Sequence, residues 1–155
     1  MTGDDLRAVM RRFPAGVSIL TVDLQGERAG LTLGTLVSLS LDPPLVGFAI
    51  KREAALHELL RRAGRFGISL LAAGQEAVAQ HFARGVPPIG LWQGVELLEE
   101  DGPPLVAGAV GWLRGHVLAE HPAGTHTFFV GEIDKAEAGE TDRPLAYFGH
   151  AYRDL

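Results

Sequence analysis

The chain has 155 residues, of which 14 are Lys or Arg and 19 are Asp or Glu, so its formal net charge is −5. A hydrophobic fraction of 46% with 21% charged residues is typical of a folded globular protein and excludes general disorder. The absence of cysteine excludes disulfides, cysteine-ligated zinc, iron–sulfur clusters and thiol catalysis. A mildly acidic chain is a poor nucleic-acid binder, and no apolar stretch is long enough to span a membrane. We therefore expect one domain, residues 1–155, located in the cytoplasm.

The first predicted element is an amphipathic helix that stops at Pro14. Its apolar residues recur at i, i+3, i+4 and i+7, the spacing of one helical face. They are Leu6, Val9, Met10 and Phe13. Thr2 and Asp5, three residues apart, predict a cap at the start of this helix.

The rest of the chain reads as short strands with two further helices. Runs rich in apolar or β-branched residues predict strands at 17–22, 31–41, 45–50, 66–71, 110–118, 127–133 and 145–152. Helices are predicted at 53–63 and 74–83, and an irregular loop at 85–94. This pattern favours a mainly β fold, an antiparallel β-barrel with a few α-helices, over a doubly wound sheet. The strand–helix–strand segment at 45–71 leaves one parallel pairing open as an alternative.

Two glycines and two threonines interrupt an apolar strand in the sequence Gly-Leu-Thr-Leu-Gly-Thr at residues 30–35. Glycine allows close approach of a ligand, and threonine hydroxyls together with free backbone N–H groups can hydrogen-bond a flat heterocycle. The alternative is a β-bulge in which threonine fills β positions, which is the more common outcome for such a pattern.

Lys51 and Arg52 lie between a predicted strand and a predicted helix. Two cations beside the positive end of a helix dipole suit a phosphate group. The alternative is a solvated connection, and Glu53 offsets part of the charge. On these residues alone both interpretations stay open.

The six histidines have no metal-binding spacing, so no metal site is predicted. His126 is the best functional candidate, because it follows Gly124-Thr125 at the mouth of a strand. His116 is expected near it across the predicted hairpin. The chain also contains no nucleophile elbow, G-x-G-x-x-G or P-loop sequence, which argues against a hydrolase and against a Rossmann or P-loop nucleotide site.

Taken in order, these segments resemble the flavin reductase family, the short NAD(P)H:flavin oxidoreductases that supply reduced flavin to two-component monooxygenases. The matching segments are FPAGV at 13–17, GLT at 30–32, VSLSLDPPLV at 37–46, HELL at 57–60, QE at 75–76, HFA at 81–83, GTH at 124–126, VG at 130–131, PLAYF at 144–148 and YR at 152–153. Each segment alone is a weak signal, and their serial order makes the resemblance specific.

The resemblance implies an FMN-binding split β-barrel with Greek-key antiparallel topology, a homodimer, FMN or FAD as cofactor, and NAD(P)H as co-substrate. It implies His126 as the catalytic residue, near the flavin and the nicotinamide. The flavin-binding residues that it implies are Leu31, Thr32, Leu33, Gly34, Thr35, Ser40, Ile50, Lys51, Arg52, Phe82, Ala83, His126 and Tyr152. The implied partner is a flavin-dependent monooxygenase.

The chain departs from the family pattern at three places. It has Leu-Gly-Thr at 33–35, where the family often has Asn or Ser. It has Glu-Ala-Ala-Leu at 53–56 where Ser and Thr are usual, which moves phosphate binding onto Lys51, Arg52 and backbone N–H groups. It has Thr125 where an Asp is usual, which leaves His126 without an adjacent carboxylate.

Three functional hypotheses follow. The first is an enzyme in which NAD(P)H reduces bound FMN or FAD; because the flavin supplies the redox chemistry, no catalytic triad is needed. The second is a flavin-binding electron carrier without efficient NAD(P)H turnover. The third is a split-barrel binding module with no redox role. A purified protein without yellow colour and without affinity for flavin would favour the third hypothesis over the others. Steady-state oxidation of NADH with added FMN distinguishes the first hypothesis from the second.

Overall fold

The computed structural model describes residues 1–155 as four helices and ten strands. The helices are α1 (Gly3–Met10), α2 (Ala55–Ala63), α3 (Glu76–Ala83) and α4 (Pro88–Leu91). The strands are β1 (Ala15–Gly16), β2 (Ser18–Leu24), β3 (Glu27–Leu33), β4 (Val37–Leu41), β5 (Pro44–Lys51), β6 (Arg65–Leu70), β7 (Gly111–Ala123), β8 (His126–Ala138), β9 (Leu145–Phe148) and β10 (Ala151–Asp154). None of the helices combines the length and the apolar character needed to cross a bilayer.

Seven strands form one antiparallel sheet in the order β3-β2-β6-β7-β8-β5-β4, and β1, β9 and β10 form a second sheet. β5 pairs with β8 and β4, not with β6, so the parallel alternative for residues 45–71 is wrong. The strands β6, β7 and β8 are consecutive in the chain and lie side by side in the sheet. β5, which precedes them and is connected to β6 through α2, lies on the other side, next to β8. This is Greek-key topology, as the family resemblance implied.

The larger sheet curls on itself because its two edge strands are consecutive in sequence. A flat seven-stranded sheet would hold β3 and β4 about 29 Å apart, whereas the four Cα steps from Leu33 to Val37 reach at most about 15 Å. The sheet therefore bends into an open barrel. The chain leaves the sheet after β3, at residues 34–36, and the cavities described below lie at this open end of the barrel.

The hydrophobic core has two parts. The barrel interior contains three fully buried phenylalanines, Phe48, Phe66 and Phe129, against the apolar face of α2. This face is the one that the sequence predicted, and α2 ends at Gly64, whose φ of +72° suits glycine. The second cluster packs α3 and α4 onto β2 and β9 through residues such as Phe82 and Leu91.

The helix α1 begins with the predicted cap. The Asp5 N–H donates to the Thr2 hydroxyl at 3.2 Å, and the Thr2 N–H donates to the Asp5 carboxylate at 2.8 Å. The Thr2 N–H and the Thr2 hydroxyl both donate to the Asp5 carboxylate and hold its pKa below the ordinary value. The apolar stripe of α1 stays largely exposed, however, since none of the helix's residues is buried.

Four predicted segments differ in extent from the structure. Residues 31–41 form two strands, because the chain leaves the sheet at 34–36. The hairpin of β7 and β8 has 13-residue strands, longer than predicted, because backbone pairing continues through polar residues up to Ala123 and His126. The loop at 85–94 contains the single turn α4. Residues 145–152 fold back at Gly149 and His150, both with positive φ, and form β9 and β10.

Candidate functional site

An open cavity of about 370 Å³ lies where β3, β5, α3 and β8 meet. Its volume falls in the range of about 300–1,000 Å³ that is usual for ligand sites. It is lined by Leu31, Thr32, Leu33, Gly34, Thr35, Ala49, Ile50, Lys51, Ala54, Phe82, Ala83 and His126. Ten of the thirteen predicted flavin-binding residues are in this lining; Ser40, Arg52 and Tyr152 are not. We call this cavity the apolar slot.

A second cavity, of about 450 Å³, adjoins the apolar slot at Lys51. Its lining contains no apolar side chain and consists of Lys51, Arg52, Glu53, Gly124 and Thr125. The Arg52 backbone N–H donates to the Thr125 carbonyl at 3.1 Å, and its Nε donates to the His126 carbonyl at 3.4 Å. Glu53 makes no ion pair and no side-chain hydrogen bond. We call this second cavity the cationic pocket.

A third cavity, of about 250 Å³, shares Thr32, Leu33, Gly34 and Ala83 with the slot and is also lined by Tyr152. The ring of Tyr152 lies 4.9 Å from the ring of Tyr147, measured between centroids. Burial is the main cause that raises the pKa of Tyr152, so this phenol stays protonated at neutral pH. Tyr152 is therefore available as a neutral wall next to the slot.

Ser40 is the predicted flavin-binding residue that lines none of these three cavities. It lies on β4 opposite Leu45, just after a register shift between Ser38 and Ser40. β4 is the outer strand of the sheet beyond β5, so the structure does not bring Ser40 together with the other predicted residues.

The two threonines at the edge of the slot are engaged in the protein scaffold. The Thr32 hydroxyl donates to the Ala79 carbonyl on α3 at 2.5 Å. The Thr35 hydroxyl donates to the Ala49 carbonyl at 3.1 Å and accepts the Ala49 N–H at 2.9 Å. The backbone N–H groups of Gly34 and Thr35, by contrast, have no partner in the chain. The donors offered to a ligand here are therefore main-chain groups.

Gly30 has a different role from either one that the sequence suggested. A Cβ at this position would lie 2.9 Å from Phe82 Cε1 and 3.2 Å from Trp92, so glycine is needed to admit two aromatic rings under β3. The register of β3 with β2 is continuous up to Leu33, so the expected bulge is absent from this strand. Gly30 thus positions Phe82, which lines the slot.

His126 is the first residue of β8 and lies opposite Lys51 of β5. Its Nδ1 is 2.9 Å from the Thr125 hydroxyl, which replaces the carboxylate usual in the family. His116 is not beside it: it lies opposite Glu132 and contacts Asp134 at 3.0 Å, further along the hairpin. No group of three or more His, Asp or Glu side chains is arranged to hold a metal ion.

Five contributors to the site were not among the predicted flavin-binding residues. Ala49 and Ala54 complete the walls of the slot, and Glu53, Gly124 and Thr125 complete the cationic pocket. The signal for the last two was present, since they precede His126 in the Gly-Thr-His segment. The two alanines carry no chemical signal: Ala49 is placed by the pairing of β5 with β8, and Ala54 by the start of α2.

The geometry suits a flat heterocycle that carries a phosphate group. The slot offers apolar walls with unpaired N–H groups along one edge, and the adjoining pocket offers two cations and the free N–H of Glu53. Main-chain N–H groups and cations are the groups that bind carbonyl edges and phosphates in proteins. The residues present therefore fit a flavin nucleotide.

Comparison with known proteins agrees with this geometry. The family model described as "Flavin reductase like domain" matches residues 10–155. The reductase component of a 4-hydroxyphenylacetate 3-monooxygenase from Thermus thermophilus is 41% identical over 149 residues, which cover 96% of this chain and 94% of that protein. An NADH:FMN oxidoreductase from Rhodococcus erythropolis is 34% identical and is aligned over 96% of this chain and 80% of its own.

The fold is shared as well. An NADH:FAD oxidoreductase from Streptomyces globisporus, solved in complex with NAD and FAD fragments, superposes with a TM-score of 0.91 at 34% identity and covers 98% of this chain and 92% of that one. The family match extends over both the apolar slot and the cationic pocket. The antiparallel open barrel is thus the split barrel of these reductases, and the chain belongs to the flavin reductase family.

Proposed function

We propose that this protein is an NAD(P)H:flavin oxidoreductase that passes reduced FMN or FAD to a partner monooxygenase. The observation that carries the proposal is the junction of the apolar slot and the cationic pocket at Lys51, with the slot open beside His126. Relatives named as NADH-dependent flavin reductases and as reductase components of monooxygenases support the same activity.

The chain's own residues bind and orient the reactants. The N–H groups of Gly34 and Thr35 donate to the polar edge of the ring, and Phe82 and Ala83 form an apolar wall against it. Lys51 and Arg52 hold the phosphate. When bound, the flavin supplies the hydride-accepting chemistry, so the protein needs neither a nucleophile nor a metal for this step.

His126 acts in this proposal as a hydrogen-bond donor that orients the nicotinamide at the open side of the slot. Its ring borders the slot, and its Nδ1 is held by the Thr125 hydroxyl at 2.9 Å. The other proposed flavin contacts are the slot residues Leu31, Thr32, Leu33 and Ile50, with Tyr152 at the neighbouring cavity. Ser40 is not included.

In the proposed assembly, a second copy of the chain covers two exposed apolar segments. They are the unburied stripe of α1 and the edge strand β4, on which Leu41 is 89% exposed. Burial of such a surface against an identical one is how symmetric dimers form. We take residues 1–155 as one flavin-binding domain, which acts in the cytoplasm, where its nicotinamide co-substrate is found.

Steady-state oxidation of NADH and NADPH with added FMN or FAD tests the proposal. We expect nicotinamide oxidation to depend on added flavin and to saturate with it. Flavin binding without turnover would instead identify the electron carrier, and no flavin binding at all would identify the binding module. The names of the relatives favour the reductase over both.

A further inference from the structure

Glu53 is the one carboxylate in the lining of the cationic pocket, and nothing in the chain neutralises it. It is exposed, and neither Lys51 nor Arg52 is paired with it. The formal charge of the lining is therefore two cations against one anion, or +1. A pocket built only to hold a phosphate dianion gains nothing from an unpaired carboxylate.

From this arrangement we propose that Glu53 makes the protein select FAD over FMN. The inference rests on the proposed flavin reductase function and specifies which flavin the enzyme takes. It goes beyond the family relationship, because the relatives include proteins named for each of the two flavins.

Charge is the first reason. The terminal phosphate of FMN is a monoester, and such groups carry a charge of about −1.5 to −2 at neutral pH. In FAD the same phosphate is part of a diphosphate bridge, and each phosphorus group carries a single negative charge. The two flavins therefore carry a similar total phosphate charge of about −2, which the monoester holds on one group and the diphosphate spreads over two. Because Glu53 lines the same pocket as Lys51 and Arg52, it would repel the phosphate group held there more strongly when that group is the monoester.

Space and hydrogen bonding are the second reason. The cationic pocket, about 450 Å³, is larger than the slot of about 370 Å³ that would take the ring, so it has room for more than a phosphate. A carboxylate that accepts hydrogen bonds from ribose hydroxyls is a recurring device for binding dinucleotides. The adenosine half of FAD therefore gives Glu53 a partner that FMN lacks.

The test is to measure dissociation constants of FAD, FMN and riboflavin at neutral pH for the wild-type chain, Glu53→Gln and the control Glu27→Gln. Glu27 is an exposed, unpaired glutamate at the far end of β3, so its substitution makes the same change of charge away from the pocket. Glu53 has no side-chain contact to lose, so Glu53→Gln is expected to fold like the wild type.

We expect the wild type to bind FAD more tightly than FMN. Glu53→Gln should shift the ratio of the two dissociation constants about five-fold or more toward FMN, the size of one unscreened charge contact at the protein surface. Riboflavin affinity should stay unchanged, and Glu27→Gln should match the wild type. A wild type that prefers FMN, or equal shifts for FMN and FAD in Glu53→Gln, would overturn the inference and leave the flavin reductase function standing. Failure of all three flavins to bind would contradict both.

Discussion

His126 stands at the junction of the slot, the hairpin and the cationic pocket. Its carbonyl accepts from Arg52 Nε at 3.4 Å, while its ring borders the slot and contacts the Thr125 hydroxyl. Orientation of two stacked rings lowers the barrier to hydride transfer without a proton transfer. For hydride transfer, His126 therefore needs to donate a hydrogen bond that orients the rings and does not need to transfer a proton.

The substitution His126→Ala should raise the KM for NAD(P)H, with a smaller loss of flavin affinity, because the proposal assigns the removed donor to the nicotinamide. His126→Asn should recover part of the activity, since a neutral amide still donates a hydrogen bond. Steady-state kinetics with both nicotinamides measure the effect. Unchanged constants in both variants would contradict the assignment, and an equally deep loss in both would show that the imidazole's proton matters.

Arg52→Ala should weaken the binding of FMN and FAD by about ten-fold or more, because a hydrogen bond between charged groups contributes about 1.5–3 kcal/mol. Turnover at saturating flavin should fall less. Riboflavin, which has no phosphate, should bind both proteins equally. Arg62→Ala on the exposed side of α2 is the matched control, since Arg62 makes no side-chain contact there. If Arg52→Ala weakened the binding of riboflavin and FMN equally, the phosphate would not be bound by Arg52.

At the scale of elements, α2 is held to the hairpin of β7 and β8 on two levels. Inside, the His57 Nε2 lies 2.8 Å from the Thr127 hydroxyl, next in sequence to His126. Outside, Arg61 forms a two-point ion pair with Glu120 at 2.6 and 3.1 Å, which is the main cause that raises the pKa of Arg61. The connection from β5 to α2 that carries Lys51 and Arg52 is thereby fixed relative to His126.

Thr127→Val should destabilise the protein by about 1–3 kcal/mol, because it leaves the buried His57 ring without its partner. Chemical denaturation measures the change in the free energy of unfolding. Thr141→Val, whose hydroxyl accepts an N–H on an exposed loop, should cost much less. Equal stability of Thr127→Val and the wild type would show that the His57 contact does not hold α2.

Local patterns in the sequence predicted the faces and the ends of the helices well, as the Thr2 cap and the Gly64 terminus show. They did not predict the break at residues 34–36, because it depends on the Thr35 hydroxyl taking both backbone groups of Ala49, a tertiary contact. The site itself depends on the register that places Lys51 opposite His126, 75 residues later in the chain. Only the family resemblance, not periodicity, brought these segments together.

Two apolar segments of the molecule remain uncovered. The stripe of α1 and the side chains Val37, Leu39 and Leu41 of β4 are all exposed, although their spacing is that of residues meant to pack. Apolar residues at such a spacing usually pack against a neighbour, and within one chain these do not. The proposed symmetric dimer would bury them.

Light scattering at micromolar concentration should give the mass of a dimer. Val9→Glu and Leu41→Glu should each shift the protein toward monomer, because both place a charge on the proposed interface. Ile89→Glu, at an exposed residue of α4, should remain dimeric. A wild type that is a monomer would contradict the proposed dimer. So would a dimeric wild type whose three variants all remain dimers.

Anaerobic mixing of the protein and FAD with NADH, followed by the absorbance of oxidised flavin, is the decisive test of flavin reductase activity. We expect loss of the flavin colour at a rate that depends on the protein, with one flavin reduced for each NADH oxidised. The same measurement with His126→Ala should be slower at limiting NADH. Flavin that binds but keeps its oxidised spectrum in the presence of either NADH or NADPH would contradict the assignment of this chain as a flavin reductase.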